Sequence, residues 1–365
     1  MNLDKRANPA FLSLAPYQPG KPMDELAREL GLTDIVKLAS NENPRGPGER
    51  VRAALAAAFD DLSRYPDGNG FRLKSALSEQ LGVDMAQVTL GNGSNDVLDL
   101  AARVALEPGC EAITSEHAFV VYRLATIGCN ANLVTVPAAG YGADLDGFLD
   151  AVTEKTRIIF LANPNNPTGT WVSRDALTGF LDRLPSRIWV VLDEAYTEFV
   201  DEPDYPDGIA LLARYPNLMV TRTFSKIYGL AGLRAGYAVS SPEFADLLNR
   251  ARQPFNVNSL ALAGAEVALS DQEYVLESRR INNAGMQQVL EGVNALGLEH
   301  IPSLGNFVAV DVGSEAAAIY QALLQKGVIV RPIAEYGLPN HLRISIGLEH
   351  ENARFVQALQ QVLAP

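Results

Sequence analysis

The chain has 365 residues, of which 47% are hydrophobic and 20% charged, a balance typical of a globular protein with a sizeable core. Its 43 acidic and 30 basic residues leave a net charge of −13, which argues against nucleic acid or an anionic membrane as partner, since both select basic surfaces. The two cysteines, Cys110 and Cys129, lack CxxC spacing and the four histidines lack an HExxH pattern, so neither a disulfide framework nor a metal site is expected.

Residues 1–6 lead into no apolar segment of signal-peptide type, and no apolar run reaches membrane-spanning length, which points to a cytoplasmic protein. Pro16, Pro19 and Pro22 break the first forty residues into an extended arm, followed by a short helix over 24–30. From there to residue 240 short apolar runs alternate with amphipathic stretches of helical length. The strand candidates are 88–90, 112–114, 133–136, 158–161, 188–192, 218–220 and 235–239, with helical patterns such as 96–106 and 175–184 between them. That alternation predicts an α/β fold, its mostly parallel seven-stranded sheet covered by helices on both faces.

The pattern then turns helical over 259–296. Strand candidates at 306–312 and 342–346 flank a helix at 316–326, and a terminal helix covers 349–363. This predicts a small α+β domain. The expected division is an arm (1–39) packing with the small domain or a partner subunit, a large domain (40–275) and a small domain (276–365).

Four segments carry chemistry, and they follow one another on successive strand ends. Gly91-Asn92-Gly93-Ser94-Asn95-Asp96 lies between a strand and a helix, where backbone N–H groups and the helix N-terminus attract an anion. A plain glycine turn capped by Ser94 or Asn95 accounts for the same residues. Asn163-Pro164-Asn165-Asn166-Pro167-Thr168-Gly169 makes a stiff turn at a strand's carboxyl edge, where α/β sheets bind ligands and where asparagines can meet a planar ring. Asp193-Glu194-Ala195-Tyr196 ends an apolar strand, and a carboxylate buried there needs a cationic partner such as a protonated pyridine nitrogen. In Thr223-Phe224-Ser225-Lys226, with Arg234 downstream, a lysine is surrounded by hydroxyls and a guanidinium suited to a phosphate dianion. Alone, that segment also reads as a surface turn. In this order, the four meet the demands of pyridoxal 5′-phosphate (PLP): a Schiff-base lysine, a phosphate cradle and a counter-charge for the ring.

The ordered set resembles the fold-type-I PLP enzymes, the aspartate aminotransferase superfamily, over essentially the whole chain. Further segments narrow the likeness: Tyr17-Gln18-Pro19-Gly20-Lys21-Pro22, Ser40-Asn41-Glu42-Asn43-Pro44, Arg64-Tyr65-Pro66-Asp67, Val330-Arg331-Pro332 and Leu342-Arg343-Ile344-Ser345-Ile346-Gly347. With these the chain is similar to the histidinol-phosphate aminotransferase family, which moves an amino group from histidinol phosphate to 2-oxoglutarate in histidine biosynthesis. The resemblance implies that Lys226 forms the covalent link to PLP and acts as base, and that Asp193 pairs with the ring nitrogen. Asn166 and Tyr196 would hold the ring's phenolic oxygen, and Phe119 would stack on the ring where many relatives carry tyrosine. Gly93, Ser94, Asn95, Thr223, Ser225 and Arg234 would hold the cofactor phosphate, with Tyr65 reaching it from the adjacent subunit of a homodimer. Tyr17, Asn43, Asn166, Arg331 and Arg343 would bind substrate. The nearest alternative is an aromatic amino-acid aminotransferase, which can use the same arginine pair. A PLP-dependent decarboxylase shares the scaffold too, while a PLP-binding transcription regulator is at odds with the net charge of −13.

Overall fold

The computed structural model describes residues 6–12, 14–16 and 20–364. In chain order its strands are β1 (Val36–Lys37), β2 (Val88–Asn92), β3 (Glu111–Ser115), β4 (Asn132–Val136), β5 (Thr156–Ala162), β6 (Trp189–Asp193), β7 (Leu218–Thr223), β8 (Ala235–Val239), β9 (Glu299–Ile301), β10 (Phe307–Asp311), β11 (Val328–Ile329), β12 (Arg331–Pro332) and β13 (His341–Ser345). A seven-stranded sheet runs in the order β2-β8-β7-β6-β5-β3-β4. Its members from β7 to β4 are parallel, and β8 is antiparallel to both neighbours.

The central strands are buried on both faces because their apolar runs do not alternate with polar residues. Ile159, Leu161, Val190, Leu192 and Val220 enter one core, while Ile158, Phe160, Val191 and Met219 enter the core on the opposite face. Helices cover each side, as a parallel sheet of this composition requires. The carboxyl ends of β5, β6 and β7 therefore come side by side, with Ala162 level with Asp193 and Asp193 level with Thr221.

A four-stranded antiparallel sheet, in the order β12-β13-β10-β9, builds the second core. Val308, Val310, Leu342 and Ile344 pack there against Leu323, Phe355 and Leu359 from the helices Ala316–Gln325 and Glu349–Leu363. The N-terminal segment joins it: β1 pairs in parallel with β11, and Val36 and Leu38 sit in the same core.

The helical segment expected over 259–296 is two helices, Ser259–Ser270 and Gln272–Ala295. Asp271 breaks it, with ψ 66 outside the helical region and a side chain that accepts the Tyr274 N–H at 3.4 Å. An aspartate offered a free backbone N–H caps a new helix more readily than it continues an old one. The second helix links the two cores, with Val275 in the first and Val289 and Val293 in the second. The expected division at 275/276 falls inside it. Among the described residues no helix is long and apolar enough to cross a membrane, and no group of three or more His, Cys, Asp or Glu is placed to hold a metal ion.

A buried ion pair stands behind β6. Glu194 is fully buried, and its Oε2 accepts from Arg222 Nε at 2.9 Å and Nη2 at 2.7 Å, while Oε1 accepts the Gly208 N–H at 3.1 Å. Burial pushes the neighbouring Glu198 carboxyl up to about 7, against the pull of Arg222. Removing one member of such a pair strands a buried charge. Arg222→Met is expected to lower unfolding free energy by about 3–5 kcal/mol in urea titrations; a loss below about 1 kcal/mol would show that the pair is not what makes Glu194 tolerable.

Candidate active site

A cavity of about 250 Å³ opens where β5, β6 and β7 end, between the two cores. Of the residues singled out from sequence, Ser94, Asn95, Phe119, Asn166, Asp193, Tyr196, Thr223, Ser225, Lys226, Arg234, Arg331 and Arg343 line it. Gly93 lies directly beneath, against the Arg234 guanidinium. Tyr17 lies outside the described residues.

Two expected residues are elsewhere. Asn43 turns behind the Lys226 loop, where its Nδ2 donates to the Ile227 carbonyl at 2.7 Å and to Ser278 Oγ at 3.1 Å. The chain adopts a left-handed conformation at Asn41 (φ 54), which leaves Ser40, Asn41 and Glu42 on the cavity wall and Asn43 off it. Tyr65 is 82% exposed, stacks on Phe255 with ring centroids 4.7 Å apart and lines a separate surface cavity of about 630 Å³.

One end of the main cavity is an anion cradle. The helix Ser94–Ala105 begins there, so its first N–H groups and the positive end of its dipole face in. Gly93 has φ +80, and a Cβ on it would stand 2.4 Å from Arg234 Nη2; a Cβ on Gly236 would stand 2.3 Å from the Ser94 nitrogen. Arg234 itself holds a left-handed backbone (φ 57), a costly conformation for a non-glycine residue, and donates through Nη1 to Ser225 Oγ at 3.2 Å. Thr223 Oγ1 accepts the Ser225 N–H at 3.1 Å and so sets the turn leading to Lys226.

At the floor, Asp193 is 5% exposed. Burial pushes its carboxyl above the usual carboxylate range, against hydrogen bonds that favour the ionised form. Those donors include Tyr122 OH to Oδ2 at 2.8 Å and Thr221 Oγ1 to Oδ1 at 3.0 Å. Neither residue was expected. Thr221 becomes a neighbour only through the β6–β7 register, and Tyr122 through the helix Val120–Gly128, where its ring stacks on Phe160. Tyr122 lies three residues after Phe119, about one helical turn, which is the only trace of its role in the sequence.

Lys226 Nζ donates to the Ser40 carbonyl at 3.3 Å and lies 5.5 Å from the centroid of the Tyr196 ring. Burial first, then the Arg343 charge, pulls its pKa down from 10.5 to about 8. The Tyr196 hydroxyl accepts from Asn41 Nδ2 at 3.0 Å, and its ring packs edge-on to Phe307. Arg331 and Arg343 are directly opposite each other on β12 and β13. Arg343 donates to Asn166 Oδ1 at 2.6 Å and to the Ala39 carbonyl at 2.7 Å; Arg331 pairs with Glu335.

These residues fit PLP. The glycines leave the cradle open where any side chain would fill it, the donors at that end suit a phosphate, and Asp193 offers a buried carboxylate for a protonated ring nitrogen. Fold and site together define a PLP-dependent aminotransferase. The family model for aminotransferase class I and II matches residues 33–359. The chain is 58% identical over 360 residues to histidinol-phosphate aminotransferase 2 of Pseudomonas fluorescens (strain Pf0-1), covering 98% of this chain and 97% of that one. It is 55% identical to histidinol-phosphate aminotransferase 1 of Nitrosococcus oceani, over 96% of this chain and 95% of that one. The crystal structure of histidinol-phosphate aminotransferase from Sinorhizobium meliloti, in complex with pyridoxal 5′-phosphate, superposes with a TM-score of 0.90 at 33% identity, covering 98% of this chain and 97% of that one. The chain belongs to the class I and II aminotransferases and, within them, to the histidinol-phosphate aminotransferase family.

Two outcomes follow from this geometry. Gly236→Ala drives a methyl into the Ser94 amide, so the variant is expected to lose PLP on dialysis at least about tenfold faster than the parent, read from visible absorbance; equal retention would remove the Ser94 N–H from the cradle. The second concerns pH. Between about 8 and 10.5 the unfolded chain keeps the Lys226 proton that the folded, cofactor-free protein has released, so this lysine's penalty is full below 8 and disappears above 10.5. Cofactor-free Lys226→Met is therefore expected to unfold at a higher temperature than the parent at pH 7. The gap should narrow as pH rises through that window, and a pH-independent gap would contradict the assignment.

Proposed function

We infer that the chain transfers the amino group of histidinol phosphate to 2-oxoglutarate, yielding imidazole acetol phosphate and L-glutamate in histidine biosynthesis. The observation that carries this reading is full-length similarity to histidinol-phosphate aminotransferases, and the arginine pair, Arg331 and Arg343, set across one strand pair on the cavity that holds Lys226, offers the anion site that such a donor requires. Like charges placed opposite each other on neighbouring strands repel, and an anionic substrate group relieves them. Full-length similarity to histidinol-phosphate aminotransferases supports the phosphorylated donor.

When bound, PLP supplies a carbonyl carbon for the incoming amine and a ring that draws electrons from the substrate Cα. Asp193 would keep the ring nitrogen protonated; the donors from Tyr122 and Thr221 fix its carboxylate in place. Lys226 Nζ, its pKa lowered to about 8, holds enough of the neutral form near physiological pH to take the Cα proton and return it. Asn166 and Tyr196 would hold the ring's phenolic oxygen, and Phe119, on the same cavity wall, would pack on the ring. Asn166 is itself oriented by Arg343, so the group that receives the substrate anion and the group that orients the ring are joined by one hydrogen bond. The Ser94 amide, Asn95, Ser225 and Arg234 would hold the phosphate end.

The active form in this reading is a homodimer. Tyr65 is exposed on a surface cavity away from its own chain's active-site cavity, and in this reading it completes the cradle of a second copy. The arm, large domain and small domain, at 1–39, 40–275 and 276–365, are the units between which substrate is enclosed.

The decisive experiment is a half-reaction. PLP-loaded protein is mixed separately with histidinol phosphate and with phenylalanine, and the decay of its visible absorption is followed. Rapid decay with histidinol phosphate and at least about a hundredfold slower decay with phenylalanine is the expected result, since a site built for a buried polar group discriminates strongly. Equal or faster decay with phenylalanine would reassign the chain to aromatic amino acids.

A further inference from the structure

We propose that Glu335 is a specificity-determining residue: a displaceable internal counter-ion that competes with the substrate's anion for Arg331, and so sets the preference between doubly and singly charged ligands. The proposal rests on reading Arg331 as a ligand of the substrate anion.

Glu335 lies in the turn Ala334–Tyr336 that follows β12, four residues after Arg331, and its Oε1 accepts from Arg331 Nη2 in a close ion pair. The two ends of this pair differ in exposure. The Arg331 side chain is 9% exposed and the Glu335 side chain 41%, so the guanidinium is held in the cavity wall while the carboxylate can leave for water at small cost. Glu335 does not line the main cavity. It lines a second one of about 200 Å³, which shares Phe119 and Tyr336 with the first and has both Arg123 and Glu116 on its wall. The carboxylate thus reaches the substrate-binding arginine from outside and has a space to withdraw into.

The charges explain what this does. Arg331, Arg343 and Glu335 sum to +1. A monocarboxylate placed on Arg343 neutralises that sum with Glu335 still in position, and no charge has to move. A phosphate dianion or a dicarboxylate that also engages Arg331 meets the Glu335 carboxylate on the same guanidinium and must drive it off. Glu335 therefore weakens ligands that reach Arg331 and leaves the others untouched. The same competition speeds departure of the phosphorylated product, because the carboxylate returns as the phosphate leaves.

The test uses PLP-loaded parent, Glu335→Gln and Arg331→Gln proteins, titrated calorimetrically at low ionic strength with inorganic phosphate, succinate and 3-phenylpropionate, none of which carries a reactive amine. Glutamine keeps the shape and an acceptor oxygen at a half-exposed position, and retained visible absorption confirms an intact site. Glu335→Gln is expected to bind phosphate and succinate about two- to fivefold more tightly, with 3-phenylpropionate unchanged. The gain should shrink as added salt screens the charges. No gain for phosphate and succinate, or an equal gain for all three ligands, while Arg331→Gln weakens phosphate, would overturn the role of Glu335 and leave the anion-binding reading of Arg331 standing. Unaltered phosphate binding by Arg331→Gln would overturn both.

Discussion

Burial of one acid and one base in the same small cavity is the constraint on which the rest of this structure depends. The medium that pushes the Asp193 carboxyl up also pulls the Lys226 ammonium down, so each group is moved toward its neutral form. Such a site is costly to the empty fold, and its cost is offset elsewhere. Tyr122, Thr221 and the Ala195 amide share the Asp193 charge, and Ser40 takes the Lys226 proton donor. A ligand carrying a cationic ring nitrogen and a reactive carbonyl relieves both groups at once.

The second core exists, in this view, to deliver two arginines. β12 is only two residues long and β13 five, yet their pairing sets Arg331 and Arg343 opposite each other. The like-charge repulsion that this creates is handled differently at each. Arg343 donates to neutral carbonyl oxygens, Asn166 Oδ1 and Ala39 O, while Arg331 meets a carboxylate. Two arginines of the same type thus acquire different availabilities to an incoming anion. That distinction arises from local partners rather than from the residues themselves.

Much of the architecture was legible in the sequence because parallel strands buried on both faces must be written as unbroken apolar runs. The run at 235–239 is β8 to the residue, and the run at 158–161 is the centre of β5. The two-residue strands β1 (Val36–Lys37) and β12 (Arg331–Pro332) each contain a polar residue or a proline and carry no such signal; they are ordered by their partners. The helical run at 259–296 hid its break for a related reason. The change at Asp271 is a cap, and its effect depends on which backbone N–H groups the fold leaves free to be capped. Lys226, Asp193 and Arg234 could be singled out because the chemistry expected of them tolerates few residue types, and the fold brings all three to one cavity. Asn43 lies off the cavity wall, since neighbouring residues in a turn can point to opposite sides and composition does not reveal which.

The sequence by itself determined the class of fold and the chain order of the segments that line the cavity, and it singled out Lys226, Asp193, Arg331 and Arg343, which the fold brings to that one cavity. These are properties of local pattern: apolar period, strand-end position, glycines where backbone must approach an anion. Only the tertiary structure decided that Tyr122 and Thr221 hold Asp193, that Asn41 rather than Asn43 lies on the cavity wall, and that Glu335 closes on Arg331 from a second cavity. The physical reason is common to all of them. Each depends on distances between atoms far apart in the chain, or on which way a side chain turns from a shared loop, and strand register, helix orientation and burial set those distances after the pattern has been read.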